Sequence, residues 1–541
     1  MSTIAKLAGE TLALTDADKR RILEEAVAKI GGSPKKILII PPDYTRFNSN
    51  AGVLTAMLYE MLSPTAEIDI IPALGTHFAM TEEEIRHMFG PDIPLGRFIE
   101  HDWRNEVVSL GEIPGELVSE WSEGRLDYSI DAMVNKILLA GYDLILSIGQ
   151  IVPHEVVGMA NYSKNIMVGV GGPDMINKSH FLGACHNMER IMGRIDTPVR
   201  RVFNYGVDTF LAELPLMYVL TVMSKDQDTG EMAMRGLYVG DDMDTFSEGA
   251  LLSQKVNLDL MDAPLKKVVV YLDPHEFKST WLGNKSVYRT RMVIADDGDL
   301  IVLAPGLKQF GEDPEIDRLI RKYGYRGTPD TLKAVDENED IGNNLSAAAH
   351  LIHGSSEGRF RITYCPGPDM TKEEIDSVGF IAGDLDEMMA RYNPDELVDG
   401  MNGLVHQCPT AVQRPCATPA GHIVIFLCSV PLDIRGGRGD AAQSAIVHGG
   451  LERIHCGREP TVEDGRKAEA PVSGGLHHTV DALGGDLKRL FDHDMFACFE
   501  CRQSGLVVST RRGTDGYNIE FRLLQHLLDR RECTHTVLLS Q

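Results

Sequence analysis

Short runs of Ile, Val and Leu recur along the chain, each ending in turn-forming residues: "KKILIIPPDYTR", "AEIDIIPALGTH", "YDLILSIGQIVPH", "LPLMYVLTVMSK", "KKVVVYLDPHE", "GDLIVLAPG", "RFRITYCPG" and "GHIVIFLCSVPL". Near-continuous apolar runs of this length suit strands buried on both faces, as in parallel sheets. Between them, "SNAGVLTAMLYEML", "TEEEIRHMFG", "PEIDRLIRKYGY" and "TKEEIDSVGFIAGDLDEMMARY" read as helices, several opening at Ser, Thr or Pro. The alternation predicts an α/β protein. The stretch "LDLMDAPLK" near residues 258–266 is the expected boundary between two such domains.

Beyond about residue 400 the pattern changes. Seven of the nine cysteines lie there, and residues 401–541 hold 2 lysines against 13 arginines, with poor helical periodicity. Two readings stand side by side: a Gly/Arg/His-rich surface appendage, or a tail translated out of frame or otherwise not selected for packing. "CFEC" (Cys498, Cys501) is a lone CxxC without a second pair at zinc-ribbon spacing.

A formal charge of −26 and a pI near 5.1 argue against a grip on nucleic acid or anionic lipid, both of which need a basic footprint. The start, "MSTIAKLAGETLALTDADKRR", does not read as a signal peptide, and the run "HIVIFLCSVPLDI" is too short to span a bilayer. A cytoplasmic protein with reduced thiols is the expectation.

Ligands of open α/β sheets sit outside the carboxyl ends of strands. There the sequence places Asp43, Thr45 and Arg46, then Gly75, Thr76 and His77, then Pro153 and His154, then His275 and Glu276. A dinucleotide fingerprint fails, since "VGVGGPD" follows no strand directly and lacks an acidic ribose partner, and no phosphate-binding GxxxxGK[ST] loop is present. The glycine-rich stretch before "PDMINKSHFLGA", where Pro173 is expected to start a helix, remains a reasonable anion seat. His154, Lys164 and His180 are spaced by 10 and 16 residues, unlike the i, i+4 pair of a HExxH zinc site.

"DYTR" after one strand, "GTH" after the next, and then His, Lys and His at these spacings resemble the nickel-dependent lactate racemase family, which uses a nickel-pincer nucleotide. The likeness runs roughly from residue 36 to 400. It implies an α/β fold of two Rossmann-like domains with mainly parallel sheets and the active site in the cleft between them. Residues 1–262 would carry the cofactor tether and metal ligand, 263–403 the second domain, and 404–541 an atypical tail. By the resemblance, Lys164 tethers the pincer through a thioamide link and His180 ligates nickel. His77 and His154 are the paired acid/base groups. Arg46 and Lys285 hold the substrate carboxylate, and Asp43 and Thr45 stand at the cofactor.

Two bases suit a racemase, which meets two mirror-image hydroxyls, and imidazole titrates near working pH. Nitrogen and sulfur donors in a plane favour nickel over zinc. The chain departs from lactate-type members at Asn161, Tyr162 and Ser163, where Gly-Gly-Arg or similar is expected, and in "LDPHEFKSTWLGNKSV". With His186, His275, Glu276 and Asn284 as extra polar groups, the resemblance points to an epimerase of a sugar acid, an aldonate such as mannonate. Cys185, Met159, Met167 and Met175 read as packing groups. The expected partners are the hydroxy acid and the cofactor's biosynthetic proteins. The rival readings are a non-catalytic sugar-acid-binding homologue and a metal-dependent hydrolase built from His77, His154 and His180.

Overall fold

The structure, a computed structural model, describes residues 3–226, 230–258 and 263–392, together with the backbone of six later strands. Chain contacts divide it into two units, Met1–Cys428 and Ser429–Gln541.

The first unit holds two six-stranded sheets. One runs Ala5–Ala8, Met232–Gly240, Leu216–Lys225, Leu144–Gln150, Lys36–Ile40, Glu67–Ile70. Its last four strands are parallel, and the first two pair antiparallel at one edge. The other sheet, Ile381–Ala382, Arg361–Pro366, Ile294–Ala304, Leu265–Leu272, Ile423–Cys428, Val405–Gln407, is parallel throughout. It takes in chain past residue 403.

Every apolar run named above contains a strand, for a reason visible in the first of them. Ile37, Leu38, Ile39 and Ile40 are all fully buried although successive side chains point to opposite faces, so both faces of the sheet are covered. Each such side chain contributes roughly 1.5–3 kcal/mol. One face packs on the helices Asp16–Ile30 and Ala51–Leu62 through Ile22, Leu23, Ala26, Leu54 and Leu58.

The helices Ala51–Leu62, Glu82–Phe89 and Pro314–Tyr323 fall where the pattern places them. Thr81 closes a capping box with Glu84, and Asp313 caps a helix whose first residue is proline. The stretch "TKEEIDSVGFIAGDLDEMMARY" does not form one helix. It breaks into Lys372–Ser377, the strand Ile381–Ala382 and Leu385–Arg391, because Gly379 turns at φ +96° and Phe380 is buried on Tyr325 and Tyr364.

The second unit shows a four-stranded antiparallel sheet, Gly516–Leu523, Leu506–Gly513, Ala497–Cys501, His535–Leu539. The side chains of Cys498 and Cys501, and most of residues 404–541, lie outside the described residues. No helix among the described residues is long and apolar enough to cross a membrane.

Candidate active site

Two strand ends and the segment that follows Lys164 are knitted together by hydrogen bonds. Ala73 N–H donates to Pro41 C=O at 2.7 Å, and Gly75 N–H to Gly169 C=O at 2.8 Å. The side-chain amide of Asn165 donates to Ile40 C=O at 3.1 Å and to the Ser147 hydroxyl at 2.9 Å. Asn165 therefore ties the residue after Lys164 to the end of the strand Lys36–Ile40 and to the middle of its neighbour Leu144–Gln150.

Residues 158–172 are unusual throughout. Asn161 (φ 66°) and Tyr162 (φ 59°) are consecutive left-handed residues. These are two of the positions where the family resemblance leads one to expect glycine, which adopts this conformation freely. Here the conformation is held by packing instead. Asn161 Oδ1 accepts from Tyr162 N–H at 2.7 Å, and the Tyr162 ring lies 4.3 Å from Tyr218 and 5.1 Å from Phe246. Arg200, 1% exposed, donates to Asn161 C=O at 3.0 Å, to the Ser163 hydroxyl at 2.9 Å and to Met159 C=O. Its guanidinium lies 4.4 Å from the Phe246 ring centre, and burial lowers its pKa to about 9. Lys164 then leads into a π-turn, Asn165–Gly169, of the kind that recurs at functional sites. Gly171 is required where the chain leaves it, because a Cβ there would lie 1.9 Å from Met167 C=O.

Gly172 caps the helix Pro173–Cys185, with proline at its first position as expected. His180 sits on this helix with Nδ1 2.6 Å from Ile176 C=O. A carbonyl only accepts, so Nδ1 carries the proton and Nε2 keeps a bare lone pair. Burial, and next the charge of Lys164, lower its pKa to about 4. Lys164 is half-buried. Burial and the nearby guanidinium of Arg46 bring its ammonium down to about 8, against the opposing pull of Glu155 and Asp43.

His77 and His154 are held in different states. His77 Nδ1 lies 2.6 Å from Asp43 Oδ2, and Thr45 donates to Asp43 Oδ1 at 2.6 Å. With a carboxylate behind Nδ1, His77 presents a proton-accepting Nε2. Asp43 is 5% exposed. Burial pushes its carboxyl up, but the bonds and charge of His77, with Thr45 and Arg46, hold it below the usual carboxylate range. His154, in the two-residue strand Pro153–His154, accepts Val156 N–H at Nδ1 at 3.1 Å, so its own proton is on Nε2. Burial keeps this imidazole neutral. Glu155 is next in the chain. Burial pushes its carboxyl up, but its own main-chain N–H and the guanidinium of Arg289 hold it below the usual carboxylate range.

The structure thus gathers Asp43, Thr45 and His77 in one hydrogen-bonded chain, and Arg46, His154, Lys164 and His180 in one mutually interacting group. Lys285, half-buried, opens the helix Lys285–Thr290, one turn before Tyr288 and Arg289, both of which interact with Glu155. His275 is exposed in a turn closed on Asp273. His186 lies apart, lining a cavity of about 520 Å³ with Trp121, Arg190, Arg194 and Arg201. Cys185 is fully buried and its thiol is pushed up to about 12 by burial; Met159, Met167 and Met175 are likewise buried, all as packing groups.

Residues 8–193 match the family model described as lactate racemase N-terminal domain. The N-terminal part of this chain is thus similar to the N-terminal domain of lactate racemases. Curated lactate racemases from Thermoanaerobacterium thermosaccharolyticum and Lactiplantibacillus plantarum are each 29% identical over 151 and 147 residues. Each match takes in 27% of this chain and 32% of the relative, so it spans about a third of their length. Among solved structures, a protein from Thermotoga maritima matches with TM-score 0.60 at 23% identity, over 78% of this chain and 100% of that one. The lactate racemase apoprotein from T. thermosaccharolyticum matches with TM-score 0.53 at 15% identity, over 79% and 94%. At these identities the structural likeness is one of fold.

Around this site stand groups that sequence reading did not single out. Asn165 and Arg200 support the lysine, the Glu155 carboxylate lies 3.9 Å from His154 Nδ1, and His353 is an electrostatic neighbour from the helix Leu345–His353. Two histidines three apart, His350 and His353, share one face of that helix, and this spacing was the available signal. Among the described residues no three His, Cys, Asp or Glu groups are placed to hold a metal ion. A three-ligand hydrolase centre on His77, His154 and His180 does not fit, and His77 is engaged with Asp43. A group that brings most of its own donors and needs one imidazole does fit His180.

Proposed function

We propose that the protein is a nickel-dependent racemase or epimerase that inverts the C2 carbinol of a 2-hydroxy acid, a sugar acid such as an aldonate. The observation that carries this reading is the free Nε2 of His180 beside the ammonium of Lys164, with a carboxylate-backed base, His77, in the adjoining loop. Lys164 would tether a nickel-pincer nucleotide and His180 would ligate its metal, with Asp43 and Thr45 alongside. When bound, that group would supply reversible hydride acceptance beside the substrate carbon.

The chain's own residues do the rest. Arg46 and Lys285 hold the carboxylate, Arg46 with a planar fork suited to two oxygens. His77 Nε2 takes the hydroxyl proton of one hand of the substrate, while Asp43 stabilises the imidazolium that results. His154 Nε2–H hydrogen-bonds the substrate oxygen. To serve as the base for the other hand, it must release Val156 N–H and move its proton to Nδ1. General base catalysis of this kind contributes roughly 10²–10⁴-fold.

We further place the site in a cleft between two Rossmann-like domains, 1–262 and 263–403, in a cytoplasmic setting, with the enzymes that build the cofactor as partners. Co-expression with those enzymes followed by intact-mass measurement tests the assignment. A nucleotide-sized adduct is expected, lost in Lys164→Ala and mapped to Lys164 in the parent chain. No adduct, or one that persists in Lys164→Ala, rejects it.

A further inference from the structure

The cavity of about 520 Å³ at the C-terminal end of the helix Pro173–Cys185 shares no lining residue with the candidate active site. His186, which follows that helix, lines the cavity, is 7% exposed, and has its Nδ1 enclosed with no hydrogen-bond partner. Buried polar atoms in native proteins nearly always have a partner, and an orphaned N–H is rarer than an under-used acceptor. The ring's proton therefore sits on Nε2, the nitrogen left open to the cavity, and Nδ1 keeps a bare lone pair. Burial, and next the charge of Arg190, lower the pKa of His186 to about 4, so the imidazole offers this N–H while neutral.

Three guanidiniums stand in the same wall. Arg190 forks onto Glu123, with Nη1 2.8 Å from Oε2 and Nη2 bonded to Oε1, and Arg201 forks onto Asp196 through Nε at 2.8 Å and Nη2 at 2.6 Å. A guanidinium has five N–H donors, so either fork leaves most of them unused. Arg194 is exposed, and its side chain makes no hydrogen bond or ion pair among the described residues. The lining carboxylates Glu123 and Asp196 are already engaged, and Glu120 acts on Arg201, so the wall has more open donors than open acceptors. Thr197 and Pro198 open the helix Pro198–Phe210, whose N-terminal end favours negative charge. Trp121 adds a flat apolar face, its ring centre 6.2 Å from that of Tyr205 in an edge contact.

We propose that this cavity is a second ligand site, which takes a small organic anion: a phosphate or carboxylate borne on a flat aromatic body. Arg194 and the unused donors of Arg190 and Arg201 bind the anionic group, and His186 Nε2–H adds a neutral donor beside them. The aromatic body lies against Trp121. A bare inorganic anion leaves that face and most of the volume unfilled. The site is independent of the racemase reading, because the two share no residue, and either can fail without the other.

The test is calorimetric binding to the full chain with four probes: phenyl phosphate, benzoate, inorganic phosphate and neutral benzyl alcohol. Phenyl phosphate or benzoate is expected to bind roughly tenfold more tightly than inorganic phosphate, and benzyl alcohol not to bind. The tighter of the two aromatic anions names the headgroup. Arg194→Glu, a change at an exposed position, should weaken that probe about tenfold or more, whereas Arg46→Ala in the candidate active site should leave it within about twofold. In ¹⁵N-histidine-labelled protein the same probe should shift the imidazole resonance that is missing from His186→Gln. The proposal is overturned if neither aromatic anion binds, if inorganic phosphate or benzyl alcohol binds as tightly, or if the His186 resonance stays put. Binding that survives Arg194→Glu, or that disappears in Arg46→Ala, places the anion elsewhere and overturns it too.

Discussion

Lys164 shows how burial alters a side chain that sequence reading can name but not characterise. An ammonium titrating near 8 is about one-tenth free amine at pH 7, whereas an ordinary lysine is almost wholly protonated. Only the free amine is nucleophilic, so reactivity rises as pH climbs through 8. Mass-mapped labelling with a small amine reagent should reach its half-maximal rate at Lys164 near pH 8, about two pH units below a free lysine side chain in a model peptide. A profile matching that of the free side chain would show that Lys164 is not desolvated. The sequence singles out His77, His154, Lys164 and His180 as candidates. Their hydrogen bonds were not legible there, since these depend on main-chain atoms of Ile176 and Val156 whose positions no residue type encodes.

At the level of the element, the loop before Lys164 is shaped from outside. Nothing in "MANYSKN" announces two left-handed residues, because the partner that stabilises them, Arg200, lies some forty positions on in the helix Pro198–Phe210. Removing it leaves three buried oxygens short of a donor. Arg200→Ala should therefore lose about 3 kcal/mol of stability by denaturant titration and speed amide exchange across residues 159–165. Unchanged exchange there would mean that the ring stack of Tyr162 suffices alone. The strands, by contrast, were readable because each is buried on both faces. The supposed single helix over residues 371–392 was misread because turn chemistry at one glycine outweighed local helical periodicity.

On the scale of the whole molecule, the two sheets of the first unit are joined by ions as well as by packing. Glu189, just after the His180 helix, accepts Arg291 Nε at 2.9 Å and Arg359 Nη1 at 2.6 Å, and Arg291 is 1% exposed. Met188 and Met192 pack there against Tyr288 and Met292. Taking away the carboxylate strands a guanidinium in the interior. Glu189→Ala should cost about 3 kcal/mol, read from the denaturation midpoint, and Glu189→Asp less. A loss below 1 kcal/mol for Glu189→Ala would show that water reaches Arg291. None of this was visible along the chain, where the three residues stand more than a hundred positions from one end to the other.

The unlike hydrogen bonding of the two imidazoles has a consequence for handedness. An inverting catalyst cannot shift the balance between the two forms it interconverts, but it need not greet them equally. Under the proposed roles, a resting molecule in which His77 is ready and His154 must first rearrange favours one configuration at the opening encounter, and the slower approach waits on a proton changing seats.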